Sequence, residues 1–105
     1  DQLRADAEAV EKAGAFAVVF EMVPASIATE LTQTLSIPTI GIGAGPNTDG
    51  QVLVWSDMLG FFDEFKPKFV KRYLGGANLV RTAVEAYARE VREKTFPSNE
   101  FEYKI

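Results

Sequence analysis

Apolar and polar positions follow the rhythm of a parallel α/β protein over the first part of the chain. Residues 1–13 place their apolar side chains on one helical stripe, and the stripe ends before Gly14, a residue typical of helix C-termini. The nearly continuous apolar run 16–23 then predicts a strand that a parallel sheet buries on both faces. A second helix is predicted from Pro24, near its first turn, to Leu35, because apolar residues recur there every four positions.

Two further strands follow this helix. Residues 38–43 predict the second strand, and the loop 44–50 separates it from a short third strand at 52–55. An order of helix, strand, helix, strand, loop and strand is expected of a parallel α/β sheet. The aromatic-rich segment 56–76 predicts one or two short helices.

The last part of the chain predicts one long helix and a tail. Residues 77–94 repeat their apolar side chains with a 3.6-residue period, whereas residues 95–105 lack periodicity, which indicates an extended or mobile tail. We therefore expect one small domain, with the β/α units at 1–74, the terminal helix at 77–94 and the tail at 95–105.

Side chains alternate across a strand, and both main strands therefore predict one bulky apolar face and one small or polar face. The bulky faces hold Phe16, Val18 and Phe20 in the first strand and Pro38, Ile40 and Ile42 in the second. The opposite faces hold Ala17, Val19 and Glu21, and Thr39, Gly41 and Gly43. Bulky faces should contact helices, so the other faces should point into a narrow lumen. This asymmetry is typical of a closed (β/α) barrel.

A single carboxylate, Glu21, lies at the C-terminal end of the first predicted strand, on the face assigned to the lumen. Barrel enzymes place their catalytic groups at the C-terminal ends of strands. A carboxylate beside apolar neighbours is partly desolvated, which suits a general base. A structural glutamate paired with an arginine or lysine of a neighbouring strand fits the same pattern, so both interpretations stay open.

A glycine-rich run, Gly41–Gly45, ends the second predicted strand. Glycines allow backbone N–H groups to approach a ligand closely, which makes Gly41 and Gly43 candidate substrate-binding positions. Tight packing at the strand end explains glycines equally well. Pro46 replaces the third glycine of the dinucleotide fingerprint, and Asp49 in the following turn is more typical of a turn-former than of a ligand.

Composition narrows the possible chemistry. The 105 residues are 47% hydrophobic and carry a net charge of −4, which favours neither nucleic acid nor an anionic membrane as a partner. The absence of cysteine and histidine excludes disulfides, thiolate chemistry and imidazole-based triads from this chain. No apolar stretch approaches the roughly 20 residues that span a bilayer, and no signal peptide opens the chain. We expect a cytoplasmic protein.

Three stretches resemble the C-terminal part of the ketopantoate hydroxymethyltransferase family: AGAFAVVFEMVP, IPTIGIGAGPNTDGQVLVWSDMLG and PKFVKRY. The Glu-x-Val-Pro turn, the Gly-Ile-Gly-Ala-Gly run and Asp-Gly-Gln stand in the family's order and spacing. The resemblance implies about the last three β/α units, plus terminal helices, of a (β/α)₈ TIM barrel. It also implies hydroxymethyl transfer from methylenetetrahydrofolate to 3-methyl-2-oxobutanoate in pantothenate and coenzyme A synthesis.

The resemblance also implies roles and partners. Glu21 would be the general base that removes the proton next to the ketone, and Mg²⁺ would stabilise the enolate as a Lewis acid. The family's metal ligands, and the Ser and Lys that hold the keto acid, lie on earlier strands, so no metal ligand is expected in this chain. A homo-oligomer is expected as well.

A complete barrel takes about 250 residues, so the resemblance implies that this chain is a fragment. We expect it to be inactive without the remainder of the barrel, because two strand edges would lack partners. The alternative is a small α/β module that binds an anionic ligand through Gly41–Gly45 without catalysis.

Overall fold

The computed structural model describes all 105 residues, Asp1–Ile105, and shows an α/β protein with a parallel sheet, as predicted. Its elements in chain order are α1 (Gln2–Lys12), β1 (Val18–Glu21), α2 (Ala25–Thr34), β2 (Thr39–Ile42), β3 (Gly50–Gln51), α3 (Trp55–Met58), α4 (Gly76–Glu93) and a final 3₁₀ turn (Asn99–Phe101). None of the helices combines the length and the apolarity that a membrane crossing requires.

The sheet has three parallel strands in the order β1–β2–β3. Glu21 pairs with Ile42 across the first two strands, and Ile40 pairs with Gly50 across the last two. The third strand lies earlier than the predicted 52–55, because the chain already turns into α3 at Trp55. Strands β1 and β3 each have one side without a neighbouring strand, so both edges of the sheet are open.

A small core joins α1, β1 and α2 on one face of the sheet. Ala7, Phe20, Ala28 and Leu31 are buried together there. Because Phe20 faces these helices, alternation along β1 places Val19 and Glu21 on the opposite, open face. Val19 is 56% exposed, which agrees with this arrangement. The faces predicted for Phe20 and Glu21 are therefore confirmed.

The faces predicted for β2 are wrong. Thr39 is completely buried on the helix face, where its hydroxyl oxygen lies 2.8 Å from that of Thr32 in α2. Ile40 and Ile42, which were expected to contact helices, instead share the open face with Glu21, as the parallel register requires. Hydrogen bonds satisfy the buried hydroxyl, so a polar residue is stable on the covered face.

Asp49 connects the loop after β2 to the beginning of that strand. Its carboxylate accepts hydrogen bonds from the N–H of Thr39 at 2.8 Å and from the Thr39 hydroxyl at 3.2 Å. The N–H of Asp49 donates to the same hydroxyl at 3.1 Å. Asp49 is therefore a structural residue of the turn, as expected.

Helix α4 extends away from the sheet. The N–H groups of Gly76 and Ala77, at its beginning, donate to the carbonyls of Leu59 and Gly60 at 2.8 and 2.9 Å. The apolar stripe of α4 is uncovered, because between 44% and 59% of each residue is exposed for Leu79, Val80, Val84, Tyr87 and Val91. The chain as a whole measures 70 × 31 × 17 Å.

The tail folds back on α4, so the expectation of an extended or mobile tail is wrong for its first part. The Phe96 ring contacts the rings of Tyr87 and Phe101, with 5.7 Å between centroids in both pairs. These aromatic contacts give the tail a packing partner that its lack of periodicity does not reveal.

Candidate functional site

Glu21 is the last residue of β1, and its side chain is exposed on the open face of the sheet. All ion pairs of the chain involve Arg4 or Arg81, and none includes Glu21. The partial desolvation expected for this carboxylate is absent, because no element of the chain covers the open face or the free edge of β1 beside it. The chain therefore presents Glu21 as an unpaired carboxylate at the C-terminal end of a strand.

The immediate surroundings of Glu21 are apolar. A cavity of about 290 Å³ runs along the free edge of β1 and includes Glu21 in its lining. Apart from Glu21 and Asp6, the lining residues are apolar side chains of α1, β1, α2 and the β1–α2 connection, such as Leu3, Val19 and Val23. A neighbouring strand at this edge would cover the apolar wall and remove water from the carboxylate.

Met22 turns the chain immediately after Glu21. It has a left-handed backbone with φ of +55°, and its N–H donates to the carbonyl of Ile42 at 2.9 Å. Pro24 immediately precedes α2 and restricts Val23 to an extended backbone, so the change of direction falls on Met22. A left-handed conformation costs a non-glycine residue about 1–2 kcal/mol. The sequence analysis did not predict the left-handed backbone of Met22. The signal that could have indicated it is the short link of two residues between Glu21 and Pro24.

The glycines after β2 allow two close backbone approaches. Gly43 and Gly45 have φ of +66° and +80°. A Cβ on Gly43 would lie 2.9 Å from the Phe69 ring, and one on Gly45 would lie 2.5 Å from the Cβ of Ala25 at the beginning of α2. Glycine is therefore required at both positions, because this loop touches the 67–70 segment on one side and α2 on the other.

Gly41 and Gly43, the two predicted substrate-binding positions, have different surroundings. Gly41 is buried within β2, where a Cβ would lie 2.8 Å from the Oγ1 of Thr48. Packing alone accounts for a glycine there, and a substrate contact at Gly41 stays a prediction. Gly43 is exposed and borders the spaces in which a ligand could lie.

Two open cavities meet at Gly43 and Phe69. The first, of about 470 Å³, is a cleft beyond the ends of β1 and β2, and its lining includes Met22, Pro24 and Lys68. The second, of about 420 Å³, is lined by residues of β2, β3, the segment that follows β3, α3 and the 69–73 segment, namely Ile42, Gln51, Val52, Leu53, Met58, Lys71 and Tyr73. Sequence reasoning assigned no role to Lys68 or Phe69, although both belong to the PKFVKRY stretch.

The acidic residues of the chain do not form a metal site. No three acidic side chains come together closely enough to hold a cation. The residues present therefore do not fit Mg²⁺ by themselves, and Glu21 is the one carboxylate that the fold places at the C-terminal end of β1.

Comparison with known proteins identifies the family. The sequence profile described as ketopantoate hydroxymethyltransferase matches residues 1–99. This chain belongs to the ketopantoate hydroxymethyltransferase family. The resemblance that its motifs predicted is thereby confirmed.

Several curated relatives of this family are named 3-methyl-2-oxobutanoate hydroxymethyltransferase. The chain is 59% identical over 103 residues to the one from a Nitratiruptor species, covering 98% of this chain and 40% of the relative. It is 63% identical over 103 residues to the one from Aliarcobacter butzleri, covering 98% and 38%. It is 55% identical over 95 residues to the one from Thermus thermophilus, covering 90% and 36%. The chain thus spans less than half the length of these relatives.

Proposed function

We propose that this chain supplies the base-bearing part of a 3-methyl-2-oxobutanoate hydroxymethyltransferase of pantothenate biosynthesis. The observation that carries this proposal is the free carboxylate of Glu21 at the C-terminal end of β1, opposite the helices. Membership of the ketopantoate hydroxymethyltransferase family supports it. Three parallel strands with two open edges suit the last β/α units of a (β/α)₈ barrel, in which further strands pair with both edges.

Glu21 acts in this proposal as the general base on the keto acid. Its carboxylate takes the proton from carbon 3 of 3-methyl-2-oxobutanoate, and the electron pair of that C–H bond moves into the enolate. The enolate carbon then forms a bond to the one-carbon unit of methylenetetrahydrofolate. Both bonds from this carbon to the folate nitrogens break, water supplies the hydroxyl group, and the two nitrogens take up one proton from water and the one held by Glu21. Ile42 and Val52, which line the 420 Å³ cavity, offer an apolar surface to the branched alkyl group of the keto acid.

The metal and the substrate carboxylate need residues from outside this chain. No three acidic side chains come together here, and the family resemblance implies that the Mg²⁺ ligands of the proposed enzyme would lie on earlier strands of the barrel. The exposed apolar stripe of α4, residues 79–91, needs a partner surface, which the remainder of the barrel or a second copy supplies in a homo-oligomer. We propose for these reasons that the chain alone is inactive. We also propose that the complete enzyme works in the cytoplasm.

The Glu21→Gln variant tests this function. The variant is made in the full-length enzyme, which means a polypeptide as long as the relatives that includes the residues of this chain. Loss of a general base should lower turnover by about 10²–10⁴-fold, whereas binding of the keto acid, measured by calorimetry, should stay close to wild type. Glu8→Gln is the matched control, because Glu8 is an exposed carboxylate on α1, away from the strand ends. Full turnover in Glu21→Gln would contradict the proposal and favour a module that binds an anionic ligand through Gly41–Gly45.

A further inference from the structure

The left-handed backbone of Met22 costs free energy, and the contacts of its side chain within the chain do not offset this cost. Its backbone is left-handed, with φ of +55°, and 70% of the residue is exposed. Glycine would adopt this conformation without strain. No buried contact within the chain therefore favours a methionine at position 22 over a glycine, which points to a use of the side chain outside the folding of this segment.

The cleft that Met22 lines has a distinct chemical character. Met22 and Phe69 contribute a thioether and an aromatic ring to its lining, with Pro24 as a further apolar surface. Lys68 adds an ammonium group, and this lysine takes part in none of the ion pairs of the chain. A flat aromatic ligand gains favourable contacts from sulfur and from a second ring, and an anionic tail gains them from the ammonium group.

We propose that Met22, Phe69 and Lys68 bind the folate co-substrate, with the pterin and arylamine rings against Met22 and Phe69 and the glutamate tail near Lys68. This inference rests on the proposed function and deepens it by assigning the co-substrate to the 470 Å³ cleft. Gly43 and Phe69 line both this cleft and the 420 Å³ cavity assigned to the keto acid. The two assignments therefore place the two reactants in neighbouring spaces.

The Met22→Gly variant of the full-length enzyme tests this assignment. Removal of one apolar contact should raise the Kd of tetrahydrofolate, measured by calorimetry, and the KM of methylenetetrahydrofolate by about tenfold or more. Neither the KM of the keto acid nor its folate-independent proton exchange should change by more than about twofold, because the keto acid lies in the other cavity. Met22→Asn, which also tolerates a left-handed backbone, should behave in the same way.

Two further variants sharpen the test. Lys94→Gly relieves the same kind of backbone strain at the C-terminus of α4, where φ is +59°, without touching the cleft, so it should leave the Kd of tetrahydrofolate unchanged. Lys68→Gln should weaken binding of a polyglutamylated folate more than binding of the monoglutamate, because the longer tail carries more carboxylates.

The outcomes separate this inference from the proposed function. An unchanged Kd of tetrahydrofolate in folded Met22→Gly and Met22→Asn enzyme overturns the assignment, even with turnover intact. An equal loss in keto acid and folate parameters also overturns it, because Met22 would then position Glu21 instead of binding the co-substrate. Weaker tetrahydrofolate binding in both variants and normal binding in Lys94→Gly supports the assignment, even in an enzyme whose turnover does not depend on Glu21.

Discussion

Glu21 ends a strand and Asp49 immediately precedes one, and sequence patterns predict the surroundings of these two acidic residues only in part. Alternation places Glu21 opposite the helices correctly, because its neighbour Phe20 is strongly apolar and buried. The same rule fails in β2, because Thr39 is buried through hydrogen bonds that hydropathy does not register. The left-handed backbone of Met22 is likewise invisible in the residue type, since methionine rarely adopts it.

Asp49→Ala tests the structural role of Asp49. The change leaves the buried N–H of Thr39 without an acceptor, which should lower the free energy of unfolding of the full-length enzyme by about 1–3 kcal/mol. Urea denaturation measures this loss. Asp63→Ala is the control, because Asp63 pairs with Arg81 at the surface and should contribute at most about 1 kcal/mol. Equal effects of the two variants would show that the contact of Asp49 with Thr39 does not stabilise the fold.

Secondary-structure elements were predicted correctly where their own residues determine them, and less well where contacts with other elements determine them. Helix α4 was predicted over 77–94 and spans Gly76–Glu93, because its 3.6-residue period persists over many turns. Strand β3 is only Gly50–Gln51, and its limits depend on pairing with β2 and on the beginning of α3. The first part of the tail packs on α4 through ring contacts of Phe96, which join residues separated in sequence.

The pH dependence of stability should reveal how α1 is joined to the α2–β2 connection. The hydroxyl and N–H of Ser36, together with the N–H of Ile37, donate to the Glu11 carboxylate and lower its pKa from 4.5. A lowered pKa in the folded state stabilises the protein above pH 4.5, and this contribution disappears as the pH falls through the folded pKa. Glu11→Gln should therefore lower Tm at pH 7 and have a smaller effect at about pH 3, where more of the Glu11 carboxylate is protonated.

The control for this experiment is Glu8→Gln, which removes a carboxylate from the same helix. It should change Tm little at either pH, because Glu8 has no hydrogen-bonded partner on α2 or the connection after it. A Tm difference between wild type and Glu11→Gln that is the same at both pH values would contradict the ionic role of Glu11.

The molecule as a whole has a small core and large open surfaces. Ten of 105 residues are buried, the sheet has two unpaired edges, and the apolar stripe of α4 is exposed. The residue pattern predicted the α/β class and the open face of β1 correctly, whereas the faces that it predicted for β2 are wrong. The asymmetry of the strand faces and the family motifs both indicated a barrel, whose closure stays a prediction because it would involve strands beyond the three of this sheet.

We expect the isolated chain to lack catalytic activity and a sharp unfolding transition, because so small a core has little surface to bury on folding. Calorimetry and a turnover assay on the 105-residue chain test this, with the full-length enzyme as the control. A cooperative transition together with turnover by the chain alone would refute the proposal that it is one part of a barrel.

Proton exchange at carbon 3 of 3-methyl-2-oxobutanoate in D₂O, followed by NMR without any folate, tests the assignment of Glu21 as the base most directly, because it isolates proton abstraction from hydroxymethyl transfer. The account predicts rapid exchange by the full-length enzyme and by its Glu8→Gln variant, and exchange about 10²–10⁴-fold slower in Glu21→Gln. Exchange at the wild-type rate in Glu21→Gln would contradict it.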